Sequence, residues 1–330
     1  MTRVAITGAS GLLGSNLAAE LLAGGHHVVA TRRRGTKVAH LSDLAIEWRD
    51  ADLGSTDALA KAFAGAEAVF HCAAAVSVKR EVTPEMTDAN VTGTDRVIDA
   101  CVIAGVGRLI HTSSVVAVGL TTTNEPCDET ARWNFEELGL SDAYAKTKHL
   151  SEERVHAARD RIDAVIVNPT FMFGPRDARP SSGKMIIDVT TRRVPSWTPG
   201  YNNFVDVRDV ARGMLLAWTK GARGERYILG GHDMTYRECF ATIARTAGVK
   251  PPRFGAPYAV ARLLGAFGDL QEWRGKDSMV NTTQIRYAYS DRFRFTSAKA
   301  QRELGYTFGP LAPAIADALA WFRAHAMLQV

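Results

Sequence analysis

Through the first half of the chain, short and almost wholly apolar runs alternate with longer stretches whose apolar residues recur every three or four positions. Val4–Thr7, His27–Ala30, Ala45–Trp48, Ala68–His71, Arg108–Thr112 and Ala164–Val167 are runs of the first kind. Rich in Val, Ile or Phe, they predict strands buried on both faces. Leu12–Ala23, Thr56–Ala64, Pro84–Ala104 and Asp142–Asp160 lie between them and predict helices. Strands alternating with helices in this way imply right-handed crossovers, hence an α/β fold with a doubly wound parallel sheet. After Asn168-Pro169 the pattern loosens, with Pro175, Pro180, Pro195 and Pro199 breaking it up. Helices are still predicted at Val207–Thr219, Tyr236–Ala247 and Ala312–His325, and a strand at Tyr227–Leu229. The chain thus divides into a large domain over 1–168, with a return segment at about 203–220, and a smaller cap over 169–202 and 221–330. Ligands of open α/β sheets sit beyond the carboxyl ends of the strands, so the chemistry is expected in the loops there.

Composition narrows the function classes. The chain has 330 residues, 46% apolar and 23% charged, which suits a folded globular protein. Its net charge is +5 and its one dense basic run is Arg32-Arg33-Arg34, without the long basic stripe of a nucleic-acid binder. Cys72, Cys101, Cys127 and Cys239 have no paired spacing for a metal or a redox dithiol, so free thiols in a reducing compartment are expected. No apolar run reaches about 18 residues, and structure is expected from the first few residues onward. The expectation is a cytoplasmic protein with no metal and with neither nucleic acid nor membrane as a partner.

Thr7-Gly8-Ala9-Ser10-Gly11-Leu12-Leu13-Gly14 spans the end of the first predicted strand and the start of the first helix. Glycines there permit a tight turn and close approach of backbone N–H groups to a phosphate, and the helix N-terminus attracts the anion. The spacing alone is weak evidence; the strand-to-helix position strengthens it. A dinucleotide site that prefers NAD places an acid at the end of the second strand, where this chain has Thr31-Arg32-Arg33-Arg34. Guanidinium groups suit a ribose 2′-phosphate, so Arg32 and Arg33 favour NADP(H) over NAD(H). A solvated basic turn is the other reading of that run. Asp52 and Leu53, after the third strand, are candidates to flank adenine, with Asp52 as a helix cap the alternative.

Tyr144 and Lys148 stand four residues apart on one face of a predicted helix. A phenol of pKa near 10 is a poor acid or base at neutral pH, and an adjacent ammonium lowers that value. Ser113 and Ser114 end the fifth strand at the same rim, where one hydroxyl can orient a substrate oxygen and the other form the turn. His71 and His111 lie inside apolar runs and are expected to be core histidines. Trp197, Trp273, Trp321, Tyr287 and Tyr289 suit either helix packing or a cleft wall, as do Phe171, Met172 and Phe173.

With these motifs in hand, the chain resembles an extended short-chain dehydrogenase/reductase of the NAD-dependent epimerase/dehydratase superfamily over nearly its whole length. Thr7–Gly14 is similar to the family's glycine motif and Tyr144-x-x-x-Lys148 to its Tyr-x-x-x-Lys. Counting back from Gly119 makes Ser114 the catalytic serine. Val69–Ala74 resembles the cofactor-lining strand, with Ala73 and Ala74 toward the cofactor. Asn90-Val91-x-Gly93 resembles the central-helix motif, and Asn168-Pro169 the segment near the nicotinamide. The resemblance implies a Rossmann-type fold and hydride transfer between nicotinamide and a ketone, aldehyde or secondary alcohol. Tyr144 would be acid or base, Lys148 would hold the ribose, and Ser114 would place the oxygen. The implied cofactor contacts are Gly8, Ser10, Gly11, Leu12, Leu13, Gly14, Arg32, Arg33, Asp52, Leu53, Ala73, Ala74, Tyr144, Lys148 and Pro169. The arginine run points to the dihydroflavonol-reductase-like branch. A nucleotide-sugar epimerase or dehydratase would use the same Ser, Tyr and Lys and stays open, although Asn202-Asn203 stands where many such enzymes carry an Arg. A non-catalytic NADP sensor is the third reading. The two long helices suit a four-helix interface between copies, so a homodimer is expected.

Overall fold

The computed structural model describes residues 1–76, 81–275, 278 and 280–328. In chain order the first half runs β1 (Arg3–Thr7), α1 (Leu12–Ala23), β2 (His27–Arg32), β3 (Glu47–Asp50), α2 (Thr56–Phe63), β4 (Ala68–His71), α3 (Pro84–Thr87), α4 (Gly93–Ala104), β5 (Arg108–Thr112), α5 (Ala143–Ala157) and β6 (Ala164–Pro169). The second half runs β7 (Phe171–Phe173), α6 (Gly183–Thr190), β8 (Ser196–Trp197), β9 (Tyr201–Asp206), α7 (Val207–Lys220), β10 (Arg226–Leu229), β11 (His232–Thr235), α8 (Tyr236–Ala247), β12 (Phe254–Gly255), α9 (Tyr258–Trp273), α10 (Thr282–Tyr289), α11 (Ala298–Leu304) and α12 (Leu311–Ala324).

Seven strands form one sheet in the order β10-β6-β5-β4-β1-β2-β3, every neighbouring pair parallel. This is the doubly wound α/β fold that the alternation predicts. Period-two side chains feed both of its faces. Val4 and Ile6 pack with Leu17, Leu21 and Met214 on the α1/α7 side, while Ala5 packs with Leu59, Phe63 and Val97 on the α2/α4 side. Arg226–Leu229 corrects the sequence division: it pairs with β6 inside the large sheet, whereas the sequence reading places 221–330 wholly in the cap. β3 also lies two residues later than predicted. The predicted helix over 84–104 is interrupted by a π turn at Asp88–Thr92, where Asn90 donates to Ala75 O (2.8 Å) and accepts from Ala75 N (2.7 Å). That clamp gives Asn90 a structural task, tying the loop after β4 to the helix.

The cap is built on smaller pieces. β9 pairs antiparallel with β11 and parallel with β7, and β8 pairs with β12. Phe173, Phe204, Ile243, Ile315 and Phe322 fill its core. No helix among the described residues is long and apolar enough to cross a membrane.

Candidate active site

The turn from β1 into α1 depends on missing side chains. Gly8 has φ of +76°, and a Cβ there would lie 2.6 Å from the backbone nitrogen of Ala73. At Gly14 a Cβ would lie 2.3 Å from the Gly8 carbonyl oxygen, so close helix–strand packing also requires glycine. Gly11 is the N-cap of α1, with no side-chain cap and no acid in the first turn. First-turn amides left without a side-chain acceptor fit a diphosphate, as the sequence pattern anticipates. Ser10 and Leu12 border this turn, Leu13 is buried beneath it, and Ala73 donates its N–H to Thr7 Oγ1 at 3.3 Å. Ala74 is exposed on the same rim and Pro169 is buried at the end of β6.

Beyond β2 the arginines diverge. Arg32 donates Nε to Asp50 Oδ1 at 2.8 Å and lies over the Trp48 ring, so its guanidinium is engaged with β3. Arg33 instead lines a cavity of about 550 Å³ with Arg34, Lys37, His40 and Arg179. Burial lowers the His40 imidazole below its usual pKa, opposed by a hydrogen bond with the Ser10 backbone, and its Nε2 is buried without a partner. This cavity concentrates cationic donors beside the glycine turn, as a phosphate monoester requires. Asp52 is exposed and accepts from Gly54 N at 2.9 Å. The cap of α2 is Ser55, so Asp52 is a turn-former here and not the helix cap. Leu53 is half-buried, its side chain against Gly93.

The two serines after β5 separate cleanly. Ser113 donates to buried Glu152 at 2.7 Å and points beneath the rim, whereas Ser114 hydrogen-bonds the Tyr144 hydroxyl. Asn168 donates Nδ2 to the Ser114 carbonyl (3.0 Å) and to Glu152 (3.0 Å), and Arg226 donates to the other Glu152 oxygen at 3.0 Å. Burial pushes the Glu152 carboxyl up, but hydrogen bonds from His156, Ser113 and Arg226 bring it below its usual value. Asp142 caps α5 by accepting from Ala145 N at 2.7 Å, which sets the first turn that carries Tyr144. Burial pushes the half-buried Tyr144 phenol up to about 12, against the lowering effect of Ser114. Burial also lowers buried Lys148 to about 8, and its Nζ donates to the Thr112 carbonyl at 2.7 Å. The sequence expectation that Lys148 depresses the Tyr144 pKa is corrected by this geometry. The ammonium is directed at the strand end, and the groups acting on the phenol are its burial, Ser114 and Asp142.

A strand-to-helix glycine turn, a basic cavity at the next strand and a Ser-Tyr pair over a buried Lys thus lie together at one end of one sheet. The profile of the NAD dependent epimerase/dehydratase family matches residues 4–230. The chain belongs to this family. It is 36% identical over 328 residues to sterol demethylase protein B of Methylococcus capsulatus, covering 98% of this chain and 99% of that one. It is 32% identical over 330 residues to a Synechocystis sp. protein named as a dihydroflavonol 4-reductase, covering 97% and 94%. Among solved structures it superposes on gox2253 with a TM-score of 0.85, at 32% identity and full coverage of both chains. This epimerase/dehydratase-family chain is an oxidoreductase-type enzyme whose cofactor is a nicotinamide dinucleotide.

In this family member most of the remaining candidates settle into packing, Trp197 and Trp321 against the cap core, whereas Trp273 is 81% exposed. His71 bonds Thr7 Oγ1 (2.7 Å) and Thr94 Oγ1 (3.3 Å), and burial holds it near pKa 3. His111 is likewise buried and lowered. Phe173 is core, Phe171 and Met172 are half-buried, and Tyr287 donates its hydroxyl to the Leu140 carbonyl at 2.6 Å. A wider cavity of about 1090 Å³, lined by Glu20, His26, Arg108, Arg212, Trp218 and Tyr306, lies at the opposite ends of the strands and contains none of the site residues. Sequence reasoning missed Lys37, His40 and Arg179 as cavity residues. The basic tract from 32 to 40 signals the first two, while Arg179 arrives only through folding. It also missed Glu152 and Arg226, whose ion pair supports both serines from below.

Proposed function

We propose that this enzyme transfers a hydride between NADP(H) and a ketone, aldehyde or secondary alcohol. The observation that carries the reading is the cavity of Arg33, Arg34, Lys37 and Arg179 beside the glycine turn. Its cations suit a 2′-phosphate and so a soluble, exchangeable NADPH, the usual currency of reduction; an epimerase, by contrast, returns its hydride to the same substrate. Gly8, Ser10, Gly11, Leu12, Leu13 and Gly14 would hold the diphosphate, Asp52 and Leu53 the adenine side, and Ala73, Ala74 and Pro169 the nicotinamide side. When bound, the nucleotide supplies the hydride. Ser114 positions the substrate oxygen by hydrogen bonding. Tyr144, protonated at neutral pH because its phenol is pushed up to about 12, gives that oxygen its proton during reduction and takes one back from solvent. Lys148 keeps its ammonium below about pH 8 and would hold the ribose. Val102 and Ile103 on α4 and Leu150 on α5 are exposed apolar residues, which supports a homodimer through these helices.

Fluorescence titration with NADPH and NADH, followed by turnover over a panel of ketones and aldehydes, tests the reading. Tighter NADPH binding with multiple turnovers is expected. A preference for NADH, or bound nucleotide that no carbonyl oxidises, would overturn it in favour of a nucleotide-sugar epimerase. If Tyr144→Phe leaves every nucleotide-linked property unchanged, the protein is a sensor and not a catalyst.

A further inference from the structure

Eight of the thirteen exposed large apolar side chains among the described residues fall between positions 254 and 273. Phe254 and Tyr258 lead into α9, and Val260, Leu263, Leu264, Phe267, Leu270 and Trp273 follow along it; Leu263 is 73% and Trp273 81% exposed. At 100° per residue, Val260, Leu263, Leu264, Phe267 and Leu270 fall in one arc of roughly 120°. The inward face is small: Ala261, Gly265 and Gly268 are the buried residues of α9. Gly265 lies against Thr282 and Ile285 and Gly268 against Val280, so α9 lies close along the α10 segment. A surface helix ordinarily turns its large apolar residues toward the core, and α9 turns them away.

Charge selects the occupant of this face. Lys250, Arg253 and Arg274 are exposed at the two ends of this helix and Arg262 on its flank, and none of them forms an ion pair among the described residues. The two acids of the helix are engaged on its inner side: Asp269 accepts from Thr282 N at 3.0 Å, and Glu272 accepts from Ser278 Oγ at 2.7 Å and Asn281 Nδ2 at 3.2 Å. A second copy would bring the same unpaired cations against one another. An anionic lipid surface meets them with phosphates, while aromatic rings at both ends of the helix suit the boundary between headgroups and acyl chains.

We propose that α9 is an interfacial docking helix that seats the enzyme on an anionic phospholipid bilayer, with its Val260–Leu270 face among the acyl chains. The helix lies flat and does not span. It departs from the sequence expectation of no membrane partner, which rested on the absence of a long apolar run and so addressed spanning alone. Tyr289 donates its hydroxyl to Ala256 O at 2.6 Å and Tyr287 to Leu140 O at 2.6 Å, so α10 joins the start of the docking segment to the loop that leads into α5, the helix that carries Tyr144. Docking itself does not depend on the hydride-transfer reading.

Flotation of the full-length protein with phosphatidylcholine vesicles containing one quarter phosphatidylglycerol tests this proposal. Expected is a bound fraction that rises with the anionic lipid and falls at least tenfold in L263S/F267S, a double variant whose thermal midpoint and nucleotide binding stay as in the parent. R262Q/R274Q should flatten the dependence on phosphatidylglycerol while leaving weaker binding in place. No flotation at millimolar lipid, or flotation that L263S/F267S leaves unchanged, overturns the proposal. So does sedimentation velocity showing that L263S/F267S halves the mass of the particle, because a second copy then covers the face.

Discussion

Helix α1 turns Leu13, Leu17 and Leu21 into the sheet, whereas α9 turns Ala261, Gly265 and Gly268 into its neighbour and leaves Leu263 and Phe267 in solvent. The two helices, of 12 and 16 residues, are both about two-thirds apolar, yet they belong to different kinds of region. In the α/β half, the sheet fixes each helix by burying its large side chains, and the site then sits on strand ends that cannot move without disturbing that core. In the cap, α8 and α12 are held the same way, by buried Phe240, Ile243, Ile315 and Phe322, but α9 is held by close glycine contacts and leaves its large side chains available for something outside the chain. The proposed chemistry lies on the sheet side of the molecule, and the proposed docking face on α9.

Substitutions sharpen this contrast when each disturbs one region and spares the other. Tyr144→Phe should lower kcat by about 10²–10⁴-fold with nucleotide affinity and thermal midpoint nearly unchanged, the loss expected when a general acid is removed; equal turnover in steady-state assays would contradict the assignment. Gly8→Ala puts a Cβ against the Ala73 backbone at a residue with φ of +76°, so a stability loss of about 1–3 kcal/mol and failed nucleotide titration are expected. Arg33→Ala with Lys37→Ala should weaken NADPH roughly tenfold, equivalent to about 1.4 kcal/mol, and leave NADH nearly untouched. Comparable losses for both nucleotides would place the 2′-phosphate elsewhere.

Acid stability of the sheet region offers a test that leaves the site untouched. His71 titrates near 3 when folded against 6.5 when unfolded, so between these values the unfolded chain binds the extra proton. Stability must then fall as pH drops from 6.5 toward 3, by at most about 1.4 kcal/mol per pH unit for this group. Denaturant titrations of His71→Gln should show a pH slope shallower by about that amount between pH 4 and 6. An unchanged slope would mean that His71 is already charged in the folded protein.

The glycine turn, the Tyr144/Lys148 spacing and six of the seven strands of the large sheet are legible in the sequence because each is a local signal: a missing Cβ, a four-residue helical offset or an apolar run closed by a turn. β10 is harder to place, since four residues after a Gly-rich turn do not reveal which sheet they join; pairing with β6 across nearly sixty residues decides that. Position along the chain leaves Ser113 and Ser114 equivalent as neighbours, and only the family resemblance prefers the second. The fold distinguishes them physically by placing Glu152 under one hydroxyl and Tyr144 beside the other.

What the sequence by itself determined is the α/β architecture and the nicotinamide-dinucleotide cofactor class, because these follow from periodicity and from motifs shorter than one βα unit. Tertiary structure alone decided three things: that Arg32 pairs with Asp50 while Arg33 joins Arg179, that Lys148 faces the Thr112 carbonyl, and that the apolar residues of α9 point outward. Each depends on which distant segment arrives beside a given side chain. That is set by the packing of the whole chain, and no local pattern encodes it.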